Sequence, residues 1–119
     1  MEIRTKRIYK ARESSDGYRI LADRLWPRGL RKDDAQIDLW LKEVAPSTAL
    51  RKWFNHEHDK YQEFEAKYLR ELEGSAAFEK LLSLVEQHPV VTLLYASRDE
   101  FYNQAVTLKK FIHTHLKGA

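Results

Sequence analysis

A chain of 119 residues has the size of one ordinary domain, so a second independent core is not expected. Its 43% hydrophobic and 33% charged residues describe a packed protein rather than a disordered one, and no run approaches the roughly 20 apolar residues of a membrane-spanning helix. The absence of cysteine excludes disulfides, thiolate metal sites and a cysteine nucleophile. Net charge is +3 and uneven: residues 1–53 hold 13 Lys or Arg against 8 Asp or Glu, and residues 54–119 hold 8 against 10. This permits an anionic partner without the dense basic stripe usual in nucleic-acid binders.

The opening segment MEIRTKRIYK lacks the apolar centre of a secretory signal, which predicts a cytoplasmic protein with no membrane partner. Residues 2–9 set Ile3 and Ile8 among charges and suit an exposed or edge strand. Ser14-Ser15-Asp16-Gly17 is a turn cluster that delivers the chain into a buried strand over 18–26, which Pro27 and Gly29 end. Residues 37–44 fit two patterns. Ile37, Trp40, Leu41 and Val44 make a helical stripe, while Ile37, Leu39 and Leu41 alternate as in a strand. Pro46 breaks whatever precedes it, and Ser47 is placed to cap a helix over 48–54.

Asp59 with Gln62 has the pattern of a capping box at the head of an amphipathic helix whose apolar face is Tyr61, Phe64, Tyr68 and Leu72. Gly74 closes it. Ser75 starts a second helix, with Phe78, Leu81, Leu82 and Val85 inward, ending before Pro89. Residues 90–96, apolar and rich in β-branched side chains, read as a central parallel strand. Ser97-Arg98-Asp99-Glu100 then reads as another capping box, leading into a helix with Ala105, Leu108, Ile112 and Leu116 inward. Strands alternating with helices predict an α/β domain: a small, mainly parallel sheet of about four strands, flanked by helices on both faces.

In such sheets ligands bind beyond the carboxyl ends of the strands, which directs attention to the segments after residues 26 and 96. Arg24, Arg28, Arg51 and Arg98 border that region, and the planar guanidinium suits bidentate recognition of phosphate or carboxylate. Ser97, Arg98 and Ser47 complete the ligand-binding candidates. A helix start at Ser97 would offer N–H groups to an anion, but Asp99 and Glu100 already complement that dipole, so simple capping is the competing explanation. Asp23, near the end of an apolar strand, is the candidate proton carrier, with a structural ion pair as its rival, and Asn103 is the candidate orienting group.

His56-Glu57-His58-Asp59 has the residue types of a metal cluster but reads as a surface connection, and His113 and His115 diverge on a helix. Trp26, Trp40 and Trp53 mostly occupy core spacing rather than a base-stacking platform. No Walker, dinucleotide-binding or G-x-S-x-G pattern occurs, so no motif specifies a cofactor or a reaction.

The string Asp23-Arg24-Leu25-Trp26-Pro27-Arg28-Gly29, followed by Trp40, Ala45-Pro46-Ser47, Leu50-Arg51 and Phe54, closely resembles the YeaO-like group of small bacterial proteins of unknown function. Phe64, Tyr68, Leu72, Leu93-Leu94-Tyr95, Ser97, Asn103 and Ala105 extend the resemblance over nearly the whole chain. It implies a compact α/β fold with a few parallel strands and tilts residues 37–44 toward a strand ending at Ala45-Pro46. It implies no activity. More distant members of the wider group carry a Cys-His-Arg string where this chain has Tyr102-Asn103-Gln104, so thiol chemistry does not transfer.

Three functional expectations follow. The first is a protein, enzyme or binder, that holds a phosphorylated or nucleotide-like small anion in an arginine-lined pocket. The second is a nucleic-acid or protein-interaction module using the basic first half, and the third is a structural partner without a ligand. Every functional suggestion assumes that the stretches around residues 26 and 97 meet at a shared pocket lined by guanidinium groups.

Overall fold

Four strands form one parallel sheet in the order β1-β4-β2-β3, in a computed structural model that describes residues 1–117. They are β1 (Glu2–Arg7), β2 (Tyr18–Leu21), β3 (Leu39–Trp40) and β4 (Val90–Tyr95). Central β4 pairs with β1 from Glu2↔Val90 to Arg7↔Tyr95 and with β2 from Tyr18↔Val91 to Leu21↔Leu94. Being apolar on both sides, it is buried from Val91 to Tyr95, as a strand covered on two faces must be.

The helices are α1 (Lys32–Ala35), α2 (Thr48–Phe54), α3 (Tyr61–Leu72), α4 (Ala76–Gln87) and α5 (Gln104–Lys117). They cover the two faces unequally. Ile3, Ile20, Val91, Leu93 and Tyr95 point into the main core, where the apolar stripes of α2 to α5 pack. Leu21 and Leu94 point the other way, against Ile8 and Ala35 of α1, with Trp26, Leu30, Ile37 and Trp40 around them. Alternation along the strands assigns these residues to their faces.

A buried ion pair completes the thinner face. Arg19, 1% exposed, donates from Nη1 to Asp16 at 2.6 Å, from Nε to the Gln36 carbonyl and from Nη2 to the Ala35 carbonyl. Lys6 and the Glu13 N–H also donate to the Asp16 carboxylate, at 3.1 and 3.0 Å. Burial acts to raise the pKa of Asp16, but these donors outweigh it and hold the group below its ordinary value.

Four boundaries differ from the sequence expectation. The strand expected over 18–26 ends at Leu21, because its edge neighbour β3 is only two residues long and its other neighbour ends at Tyr95. Residues 37–44 contain the strand Leu39–Trp40 and then a 3₁₀ turn at Lys42–Val44, so neither full-length pattern applies. Asp59 does not cap α3. A 3₁₀ turn, His58–Lys60, runs directly into that helix, whose N-cap is Lys60 without a side-chain hydrogen bond. Ser97-Arg98-Asp99-Glu100 does not start the last helix either. Ser97 Oγ accepts from the Asp99 N–H, and Asp99 accepts from the N–H groups of Phe101 and Tyr102, so the polar side chains stabilise a loop instead.

The cap of α5 is Asn103, whose Oδ1 accepts from the Val106 N–H at 3.0 Å. Elsewhere the signals hold: Ser47 accepts from the Leu50 N–H and Ser75 from the Phe78 N–H. No described helix is long and apolar enough to cross a membrane.

Candidate functional site

The chain leaving β2 and the chain leaving β4 meet at one cleft of about 860 Å³, at the carboxyl end of the sheet. This is where ligands bind in open parallel sheets, and the volume lies within the roughly 300–1,000 Å³ of small-molecule sites. Its lining includes Asp23, Arg24, Arg28, Arg51, Ser97, Arg98 and Asn103. Of the candidate residues, only Ser47 lies outside it. The Ser47 hydroxyl accepts from Leu50 and donates to Glu71 Oε2 at 2.6 Å, so it is occupied in holding α2 against α3.

Asp23 joins the two stretches. Just beyond the end of the β2–β4 ladder, its Oδ2 accepts from the Ala96 N–H at 2.9 Å, replacing the missing strand carbonyl. Its Oδ1 accepts from the Gln104 side-chain amide in the first turn of α5, and its backbone carbonyl accepts from Trp40 Nε1 at 2.7 Å. Burial pushes its pKa up to about 6, against the opposing pull of the Ala96 N–H, the Gln104 amide and the Arg51 charge. The rival ion-pair explanation finds no salt bridge for Asp23 within 4 Å among the described residues.

The arginines divide by task. Arg24 donates from Nε to the Pro46 carbonyl and from Nη2 to the Ala45 carbonyl, both at 3.0 Å, and so ties the chain after β2 to the turn before α2. Arg7 donates to the carbonyls of Ala96 and Ser97 at 3.2 Å and lies over the Tyr9 ring. Arg28, Arg51 and Arg98 are exposed, and among the described residues none is in a salt bridge or donates a side-chain hydrogen bond. The lining therefore carries five arginines against two aspartates, Asp23 and Asp99.

The 98–103 loop forms one wall. Asn103 is 2% exposed and donates from Nδ2 to the Asp99 carbonyl, so both ends of its amide hold backbone rather than face a ligand. His58 Nε2 lies 2.5 Å from Asp99 Oδ2, its ring packs on Tyr102, and Lys10 bonds Glu100 at 2.8 Å. His56 faces the cleft from a residue with φ +58°, while His58 faces Asp99, so the two do not converge. No group of three or more His, Asp or Glu suited to a metal stands among the described residues. Apolar side chains line the opening, with Leu25 61% exposed.

Arg7, Tyr9, His56, Tyr102 and Gln104 line the cleft without having been singled out as site residues. A signal for Gln104 existed, since it directly follows the strand-to-helix loop, but its partner 81 residues away did not.

Fold and cleft together define a small single-sheet α/β protein with a binding crevice at the carboxyl ends of parallel strands. Within that class, the chain belongs to the family described as the inactive DUF488-N3 subclade, whose model matches residues 2–119. It is 43% identical to the uncharacterized protein YeaO of Escherichia coli (strain K12), over 96% of this chain and 99% of that protein. It is 39% identical to the uncharacterized protein Rv3073c of Mycobacterium tuberculosis (strain ATCC 25618 / H37Rv), over 93% of each. No solved structure matches it.

Proposed function

We propose that this protein binds a phosphorylated or nucleotide-like small anion in the cleft between the segments that follow β2 and β4. The reading is carried by Arg28, Arg51 and Arg98, three exposed guanidinium groups without a carboxylate partner among the described residues, arranged around one crevice. Structural arginines are satisfied internally, as Arg19 is, whereas these three keep their donor forks available for a carboxylate or phosphate. Apolar neighbours such as Leu25, Trp26 and Pro27 lower the local dielectric and supply a surface for a ring. The description of the family as inactive and the lack of cysteine favour binding over covalent catalysis.

The test is a thermal-shift screen with inorganic phosphate, sugar phosphates and nucleotides, repeated on Arg51→Ala and Arg98→Ala. At least one phosphorylated compound is expected to raise Tm, and each substitution to weaken its binding about tenfold, the loss of one charge-assisted contact of roughly 1.4 kcal/mol. A flat screen, or shifts untouched by both substitutions, overturns the reading. The exposed ring of Tyr102, which lines the cleft with Arg98, and the exposed Phe101 next to it in sequence support a second reading, single-stranded nucleic acid stacked on this loop. Affinity for an oligonucleotide that falls steeply with salt, alongside a flat nucleotide screen, would favour it.

A further inference from the structure

The cleft contains a carboxylate that works against its own arginines. Asp23 lines the same space as Arg24, Arg51 and Arg98, and an anion drawn in by those groups must sit in its field. An ionised carboxylate offers about four lone-pair directions, and Asp23 uses two, one on each oxygen, for Ala96 and Gln104. Neither fixed partner carries a charge. This contrasts with Asp16, where Lys6 and Arg19 close the site completely.

We propose that Asp23 is the selectivity residue of the cleft: it admits an anion only together with a hydrogen, brought either as an N–H on the ligand or as a proton on Asp23 itself. This rests on the anion-binding reading above. The class of ligand it selects is a phosphorylated molecule with a donor edge, such as a nucleotide whose base carries an exocyclic amine. A bare phosphate or sulfate leaves the carboxylate facing a like charge, and so does a ligand that presents only acceptors. Selection by a carboxylate that keeps lone pairs open toward the cleft is strong, because the wrong ligand sets a like charge or an acceptor against them.

The same geometry couples a simple anion to proton uptake. With Asp23 pushed up to about 6 by burial, it is mostly protonated at pH 5.5 and mostly ionised at pH 7.5. If only the protonated form accepts sulfate, apparent affinity falls with the protonated fraction, about twenty-fold over that interval. Gln104 from α5 and Arg51 from α2 act on Asp23, Tyr68 from α3 and Arg24 on its own segment stand near it, and Arg7, Arg28, Arg98, Asp99 and His56 share the lining of the cleft. His56 is the imidazole on the cleft lining, so a His56→Asn variant separates its contribution from that of Asp23.

The experiment measures binding of sulfate, adenosine 5′-monophosphate and purine riboside 5′-monophosphate, which lacks the amine, to wild type, Asp23→Asn and His56→Asn at pH 5.5 and 7.5. Wild type should prefer the amine-bearing nucleotide about tenfold at pH 7.5 and bind sulfate about twenty-fold better at pH 5.5. Asp23→Asn should bind sulfate at pH 7.5 about thirtyfold better than wild type, lose its pH dependence and lose the preference between the two nucleotides, whereas His56→Asn should retain both the pH dependence and the preference. The wild-type measurements stand alone if Asp23→Asn fails to fold. Wild type that binds sulfate equally at both pH values, or both nucleotides equally, overturns the role of Asp23 and leaves the anion site intact. Absence of binding by any probe at either pH overturns both.

Discussion

Near the ends of β2, Asp16 is buried and Asp23 half-buried, and they have opposite chemistry. Asp16 is surrounded by Lys6, Arg19 and a backbone N–H, which hold its pKa below the ordinary value. Asp23 has two neutral partners, and burial prevails, pushing it up to about 6. Arginines follow the same division: Arg19 spends its guanidinium on Asp16 and two carbonyls, while Arg51 and Arg98 spend theirs on nothing among the described residues. A network built for stability saturates its donors and acceptors. A site built for a ligand leaves some of each open, at a cost in stability.

Breaking the saturated network should have the largest effect. Arg19→Ala strands a buried carboxylate with Lys6 as its remaining charged partner and should destabilise the fold by about 3 kcal/mol in urea unfolding. Arg51→Ala, at an exposed and unpaired position, should stay within about 0.5 kcal/mol. Equal losses for the two would erase the distinction drawn between them.

Next comes the pH dependence of stability. Because folding raises the pKa of Asp23 above its ordinary value of 3.8, the folded chain holds a proton that the unfolded chain releases, and stability falls as pH rises between about 4 and 6. Asp23→Asn cannot titrate. Its stability relative to wild type should therefore improve by about 2 kcal/mol between pH 4 and pH 7, whatever constant offset the lost hydrogen bond introduces. A difference that stays level with pH would mean that Asp23 ionises as an ordinary carboxylate.

A smaller effect sharpens the account of the wall. Asn103→Ala removes the cap of α5 and the bond to the Asp99 carbonyl, and should cost about 1 kcal/mol. Hydrogen exchange at Val106 should rise with it, and unchanged protection there would assign the cap to another group.

Much of this architecture is legible in the chain. The stripe of Tyr61, Phe64, Tyr68 and Leu72 identifies α3, the continuous apolar run at Val90–Tyr95 identifies the central strand, and Ser47 and Ser75 mark helix starts, because each signal lies within one turn or one strand of its effect. Capping motifs are less faithful. Ser97-Arg98-Asp99-Glu100 has the spacing of a helix start, yet its side chains stabilise a loop and the helix begins seven residues later. A local pattern cannot show which of several N–H groups a carboxylate will choose, since both outcomes satisfy the same donors.

By itself, the sequence determined the α/β class, the parallel sheet and the set of arginines, since these follow from composition, periodicity and strand-to-helix order. Only tertiary structure decided which arginines remain free and which serve the fold. Arg19, Arg24 and Arg51 look equivalent along the chain, and they diverge because packing brings Asp16 and the 35–36 carbonyls to the first, the 45–46 carbonyls to the second and neither to the third. The pairing of Asp23 with Ala96 and Gln104, 73 and 81 residues away, is of the same kind: it exists only once the sheet has closed, and burial of its carboxylate follows from that closure.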